Sequence, residues 1–414
     1  MGYVNGPRRA AGVVAALGLG VGVGLAAAQD AGAPQNPAAE RILEVIAERT
    51  SPMTVGEAGL GGPGGELLLR EAREASVLAI GESHLNEETP AVVRAALPAL
   101  LDAGYAAMAI ETGRPIAEYV ESMIVSDRAA IERLFARDPF SAAFIDHVGE
   151  LDLIEDAVRG GMDLWGLDQV FAGGARFNLG RLAELAPSDE ARSLAIESQQ
   201  RAREGFMHFV REQDQSRSFL NSATAEDYAV LRRAFAGVDE ALGVIDELER
   251  SAEIYRLFGQ GRNYASNLTR IELMREHFAE DLASLPEGGK IVLKFGDVHM
   301  RRGYSPLNQQ DLGTAVVGIG DALGGGSLHV FVFAKEYLEG EYAADGNGAL
   351  VSAMGDEEWV VVDLRAMRPI FHREQFRAGF ESLSDYVWGY DLMVVTRSFT
   401  PAETVPGVPA LRGR

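Results

Sequence analysis

Short runs of β-branched or otherwise apolar residues recur along the chain at 77–80, 107–110, 163–167, 291–295, 315–319, 328–333, 359–364 and 392–396. Each spans only a few residues and lacks a strict in–out alternation, the mark of strands buried on both faces. Between the early runs the apolar positions take helical spacing, at 87–103, 114–125 and 142–159, and a long polar–apolar stretch follows at 189–285. Strand and helix alternate, so the pattern predicts an α/β fold with a mostly parallel central sheet flanked by helices. Residues 175–285 carry no strand-like run and are expected to form a helical insertion or cap. The expected division is then an α/β domain in two parts, 66–174 and 286–400, around that cap. Residues 29–65 form a linker and N-terminal helical segment, with a turn-rich stretch at 59–65, and residues 401–414 form a C-terminal tail.

The first 28 residues follow a different logic. They hold no acidic residue, carry Arg8 and Arg9, run through an apolar stretch at 10–25 and end in Ala26-Ala27-Ala28-Gln29. That layout predicts a secretory signal cleaved after Ala28, and a periplasmic or extracellular protein. As an uncleaved anchor the stretch is weak, because most of residues 10–28 are Gly or Ala, so no stable membrane span is expected after cleavage. The chain contains no cysteine, which excludes thiol nucleophiles, thiolate metal sites and disulfides. Against 61 Asp and Glu stand 38 Lys and Arg, a net charge of −23, so nucleic acid is not an expected partner.

In open α/β sheets the ligand site forms at the carboxyl ends of the strands. Four predicted strands end in groups able to do chemistry. The run at 77–80 leads into Gly81-Glu82-Ser83-His84, and that at 107–110 into Glu111. The run at 163–167 leads into Asp168-Gln169, and that at 291–295 into Gly296-Asp297-Val298-His299. A charge placed at the end of a buried run is costly unless paired. If these strands are parallel neighbours, two histidines and several carboxylates meet at one sheet edge. His84 and His299 with Glu111 or Glu82 then suit a divalent transition metal such as Zn, Mn or Co. Equally, one histidine oriented by a carboxylate acts as a general base on water without metal. Asp168 is either part of this group or a turn or N-cap residue before Gly173-Gly174. Arg94 is either a solvated helical residue or, if aimed at the strand edge, a stabiliser of an anionic intermediate. Glu87 and Glu88 read as first-turn acids of a capped helix. Among the other histidines only His147, beside Asp146 and Glu150, stays a candidate.

The two Gly-acid-x-His motifs, with Ala109-Ile110-Glu111 and Trp165-Gly-Leu-Asp168-Gln169 between them and Tyr390-Asp391 near the end, resemble the erythromycin esterase/ChaN/TraB-Tiki superfamily. The resemblance runs from about Leu78 to Thr400. It implies an α/β fold whose cleft is lined by Glu82, His84, Glu111 and His299. It also implies an arginine role for Arg94 on the helix after the first histidine, and an Arg-acid motif at Arg275-Glu276. The esterase branch usually has two residues between its first Glu and His, where this chain has only Ser83. It also has a histidine at the position of Gly296. These departures resemble the Tiki and ChaN branches, described respectively as metal-dependent peptidases and haem-binding proteins. The expectation is a hydrolase-like protein acting on an ester or peptide-type substrate, small molecule or peptide. The alternative implied by the resemblance is a haem- or iron-binding protein without catalysis.

Overall fold

The structure, a computed structural model, describes residues 37–334, 348–372 and 380–408. The expected signal at 1–28, the start of the linker at 29–36 and the end of the tail at 409–414 lie outside the described residues. Nine strands build one sheet: β1 (Thr50–Gly56), β2 (Gly59–Gly61), β3 (Val77–Glu82), β4 (Tyr105–Gly113), β5 (Asp163–Asp168), β6 (Lys290–Gly296), β7 (Ser327–Ala334), β8 (Trp359–Asp363) and β9 (Leu392–Thr396). Their order is β2-β1-β8-β9-β7-β3-β6-β4-β5. From β9 to β5 all neighbours are parallel, whereas β8, β1 and β2 close the other edge as antiparallel pairs. The α/β fold with a mostly parallel sheet is thus the observed one.

The continuous apolar runs have a direct explanation. Leu78, Ile80, Met108, Ile110, Val292 and Val330 face one buried cluster. Their neighbours Val77, Ala79, Ala107, Ala109, Ile291, Leu293 and Phe331 face another on the opposite side. Side chains alternate across a strand, so a sheet covered on both faces needs apolar residues at every position. Residues 175–285 contain no strand. Their helices Ala175–Leu185, Asp189–Glu212, Asp239–Gly259 and Asn263–Asp281 are the longest of the region, and most of its apolar faces share a third core that includes Phe206, Phe209, Phe219, Leu248 and Tyr255.

Three expectations fail locally. Residues 315–319 belong to the helix Leu312–Ala322, whose buried Leu312 and Val316 recur one turn apart and whose first N–H is accepted by Asp311. A five-residue apolar run alone does not separate a strand from part of a longer buried helix. Residues 59–65 are not a free turn, because Gly59–Gly61 pairs with β1 and a helix begins at Gly62. The helix expected at 142–159 starts only at Val148, after an irregular loop in which Phe140 and Phe144 take left-handed φ values of 64° and 67°.

Candidate active site

β3, β6, β4 and β5 are consecutive across the sheet and parallel, so their carboxyl ends open on one edge. Glu82 closes β3 and His84 follows in the next loop. Glu111 lies near the end of β4, inside an irregularity of its pairing with β5 between Ile110 and Gly113. Such irregularities re-aim side chains. Asp168 closes β5, and His299 sits in the single-turn helix Asp297–Met300 directly after β6.

His84 is held between two carboxylates. Its Nδ1 lies 3.0 Å from Glu82 Oε1 and its Nε2 3.3 Å from Glu111 Oε2. Burial disfavours the charged ring, but Glu111 and Glu82 outweigh burial and raise its pKa to about 10. Phe144 stacks on the imidazole with ring centres 3.8 Å apart. The left-handed backbone at Phe144, and at Leu85 with φ 65°, is unfavourable for side-chain-bearing residues and is concentrated around this histidine. His299 places Nε2 3.5 Å from Glu111 Oε1 and Nδ1 3.1 Å from the buried Asp311. Burial again opposes its charge, and Asp311 and Glu111 raise its pKa despite that.

Two buried cations complete the cluster. Lys294 of β6 donates to Glu82 (2.8 Å) and to Glu150 (2.7 Å). Arg270, from the cap helix Asn263–Asp281, forks onto both oxygens of Asp168 and donates to Glu111 Oε1 at 2.8 Å. Glu111 Oε2 also accepts the Gly296 N–H at 2.6 Å. Burial alone would raise the pKa of Glu111, but His84, His299 and Arg270 hold it well below the usual carboxylate range. Glu82 is likewise lowered against burial, chiefly by Lys294 and then by His84. Glu150 moves the other way, since burial and the nearby Glu82 outweigh Lys294.

Glu82, His84, Glu111, Asp168 and His299 therefore converge. Asp168 is an ion-pair partner rather than a helix cap, because the next helix is preceded by Gly174 without a side-chain cap. Arg94 does not join them. Its guanidinium is bound by Asp152 and Asp156 on the outer surface of the helix Val148–Arg159, where it is solvated. Arg275 donates to the carbonyls of Gln310 and Asp311, and Glu276 pairs with Arg250, so neither reaches the cluster. The arginine this helix sends inward is Arg270. His147 pairs with Asp146, and its backbone bridges to Thr404.

Gly296 is required by contact. A Cβ there would lie 2.6 Å from His84 Nε2 and 3.3 Å from Glu111 Oε2. The first histidine loop is also tied down by the end of the chain. Glu87 N–H donates to Thr400, Ala402 N–H to Leu85, Thr400 N–H to Glu88 and Val405 N–H to Asp146. Residues 400–405, of which 401–405 are expected as part of a tail, form a strap over the loops that hold His84 and Phe144.

The donor set does not fit the expected metal at His84, His299 and Glu111. Both ring nitrogens of His84 are turned to Glu82 and Glu111, and both of His299 to Asp311 and Glu111, so none is aimed at a shared empty centre. Both oxygens of Glu111 already accept hydrogen bonds, and Arg270 and Lys294 supply positive charge within the cluster. Among the described residues no group of three or more His, Asp or Glu is arranged to hold a metal ion. Among the described residues no helix is long and apolar enough to cross a membrane.

No protein-family model matches the sequence, and no curated protein matches it. Solved structures do. A Bacillus cereus protein of 11% identity superposes with a TM-score of 0.58, covering 90% of this chain and all of its own. A protein described as a succinoglycan biosynthesis protein, 12% identical, gives 0.54 over 89% of this chain and all of its own. A mutant of the erythromycin esterase EreC in its open conformation, 15% identical, gives 0.52 over 81% of this chain and 94% of its own. At these identities the likeness concerns architecture alone, and the architecture of this chain is the erythromycin esterase-like fold.

Proposed function

We propose that the protein is a hydrolase in which His84 activates water against an ester or peptide-type substrate without a resident metal. The observation that carries this reading is the placement of His84. Its side chain is 19% exposed, while Glu82, Glu111, Arg270 and Lys294 are all at 4% or below. A substrate at the strand edge meets the imidazole first, with the carboxylates and cations packed behind it. In its neutral form, reached as pH rises towards about 10, one ring nitrogen is unprotonated and takes a proton from water as the water oxygen attacks the carbonyl carbon. The imidazolium so formed is stabilised by Glu111 and Glu82, and it returns the proton to the leaving oxygen or nitrogen as that bond breaks. Arg270, His299 and Gly296 N–H keep Glu111 ionised and in place. The erythromycin esterase among the similar structures is consistent with hydrolysis, although macrolides do not follow from fold alone. The N-terminal 28 residues fit delivery to the periplasm or outside the cell.

The test is hydrolysis of p-nitrophenyl esters and peptide amides by the wild type and His84→Asn. General-base catalysis is worth about 10²–10⁴-fold, and a loss of that size is expected in a variant that still folds cooperatively with the wild-type circular dichroism spectrum. The wild-type rate should rise with pH towards about 10, where His84 becomes neutral. Full activity in the variant refutes the assignment.

A further inference from the structure

A cleft of about 600 Å³ lies between the helix Arg128–Arg137 and the cap helices Ala175–Leu185 and Asp189–Glu212, and none of its lining residues belongs to the His84 cluster. Four arginines line it: Arg133, Arg137, Arg181 and Arg203. Their sequence positions explain the convergence, since Arg133 and Arg137 are one helical turn apart and share a face. Tyr119 and Phe177 also line the cleft, with ring centres 5.4 Å apart in an edge-on arrangement.

The balance of charge in this cleft departs from that of the whole chain. The lining holds four guanidiniums and one carboxylate, Glu184, which together with Glu240 outside the lining pairs Arg181, in a protein of net charge −23. The fully buried Asp138 is shared by Arg137 (2.8 Å) and Arg203 (2.7 Å), so one acid anchors two cations without facing the cleft. Arg133 and Arg137 remain 66% and 64% exposed, with their paired acids leaving most of each guanidinium open to solvent. Beside them is a further cation. Arg176 is buried against Phe206, and its hydrogen bonds go to the carbonyls of Gly173 and Pro139. Among the described residues no carboxylate lies within ion-pair distance of it.

We propose that this cleft binds a small amphipathic anion, a molecule bearing a phosphate or carboxylate on an apolar body. The guanidinium forks match either oxyanion, and the two rings supply apolar surface for the remainder. The volume falls in the range of small-molecule sites. This assignment is independent of the chemistry at His84.

The experiment is calorimetric titration at low ionic strength with phenyl phosphate and benzoate, using inorganic phosphate and phenol as controls. The proteins are the full chain, Arg133→Gln/Arg137→Gln and His84→Asn. Both arginines are exposed, and Asp138 keeps Arg203 in the double variant, so folding is preserved. At least one aryl anion should saturate a single site, bind more tightly than inorganic phosphate or phenol, and weaken tenfold or more in the double variant. His84→Asn should bind as the wild type does. Absence of saturable binding overturns the proposal. So does equal affinity in the double variant, an affinity no better than inorganic phosphate, or loss of binding in His84→Asn alone.

Discussion

Gly296→Ala acts first on the geometry of His84 and only secondarily on Glu111. Gly296 has φ −55° and ψ 145°, which alanine adopts without strain, so the only cost is the new methyl group. That methyl would lie 2.6 Å from His84 Nε2. Ordinary contacts between such atoms are about 3.5 Å, so the imidazole must withdraw by roughly 1 Å. Its 3.3 Å approach to Glu111 then opens past 4 Å. Glu111 is the leading carboxylate that raises His84 from 6.5 to about 10. At about 1.4 kcal/mol per pKa unit, the full shift amounts to roughly 5 kcal/mol, and losing a substantial part of it moves the titration midpoint down by at least one unit. A misplacement of 1 Å also costs about 10²-fold in rate. The assay is a histidine NMR titration between pH 5 and 11, with the His84 signal identified by its absence in His84→Asn, alongside ester hydrolysis. An unchanged midpoint with unchanged turnover would show that Glu111 does not govern His84 and would refute the reasoning.

Three further outcomes test the surrounding groups. The folded pKa of His84 lies above its unfolded value, so its stabilisation is complete below about pH 6.5 and is lost as pH rises through about 10. Urea midpoints of the wild type should therefore fall more steeply than those of His84→Asn from pH 7 to 10, and parallel curves would contradict the pairing. Lys294→Met leaves Glu82 and Glu150 buried without their cation and should cost about 3–5 kcal/mol in denaturant unfolding. Adding Glu150→Gln should recover part of that loss, and a double variant no more stable than the single one would show that the triad is not the cause. Arg94→Ala removes a solvated ion pair and should change stability by less than about 1 kcal/mol and turnover not at all. A large loss of turnover would return Arg94 to the catalytic group.

The strand-end groups were legible because each ends a run whose burial makes an unpaired charge expensive, and parallel strands bring such ends together. Lys294 carried the same signal, a lysine inside Ile291-Val-Leu-Lys-Phe295, and points to a buried anion that the linear sequence does not name. Arg270 was not legible. It reaches Glu111 across 159 residues, and only the packing of the cap helix on β5 selects it over Arg275. Phe144 and Asp311 act through loop geometry, which leaves no periodic trace. β1 escaped notice because Pro52 and its polar neighbours break the apolar run, as an outer antiparallel strand tolerates.

The strap at residues 400–405 gives the molecule an order of assembly. Synthesis runs from the N-terminus, so β3 and the His84 loop emerge more than three hundred residues before the segment that clamps them. Until then the Glu87 amide lacks the Thr400 carbonyl and the Asp146 carbonyl lacks the Val405 amide. The sheet core can form in that interval, but the His84 loop has nothing at its back. The final stretch of the polypeptide thus works as a latch on an early one, and a chain ended just short of it would keep its architecture while leaving the His84 loop unanchored.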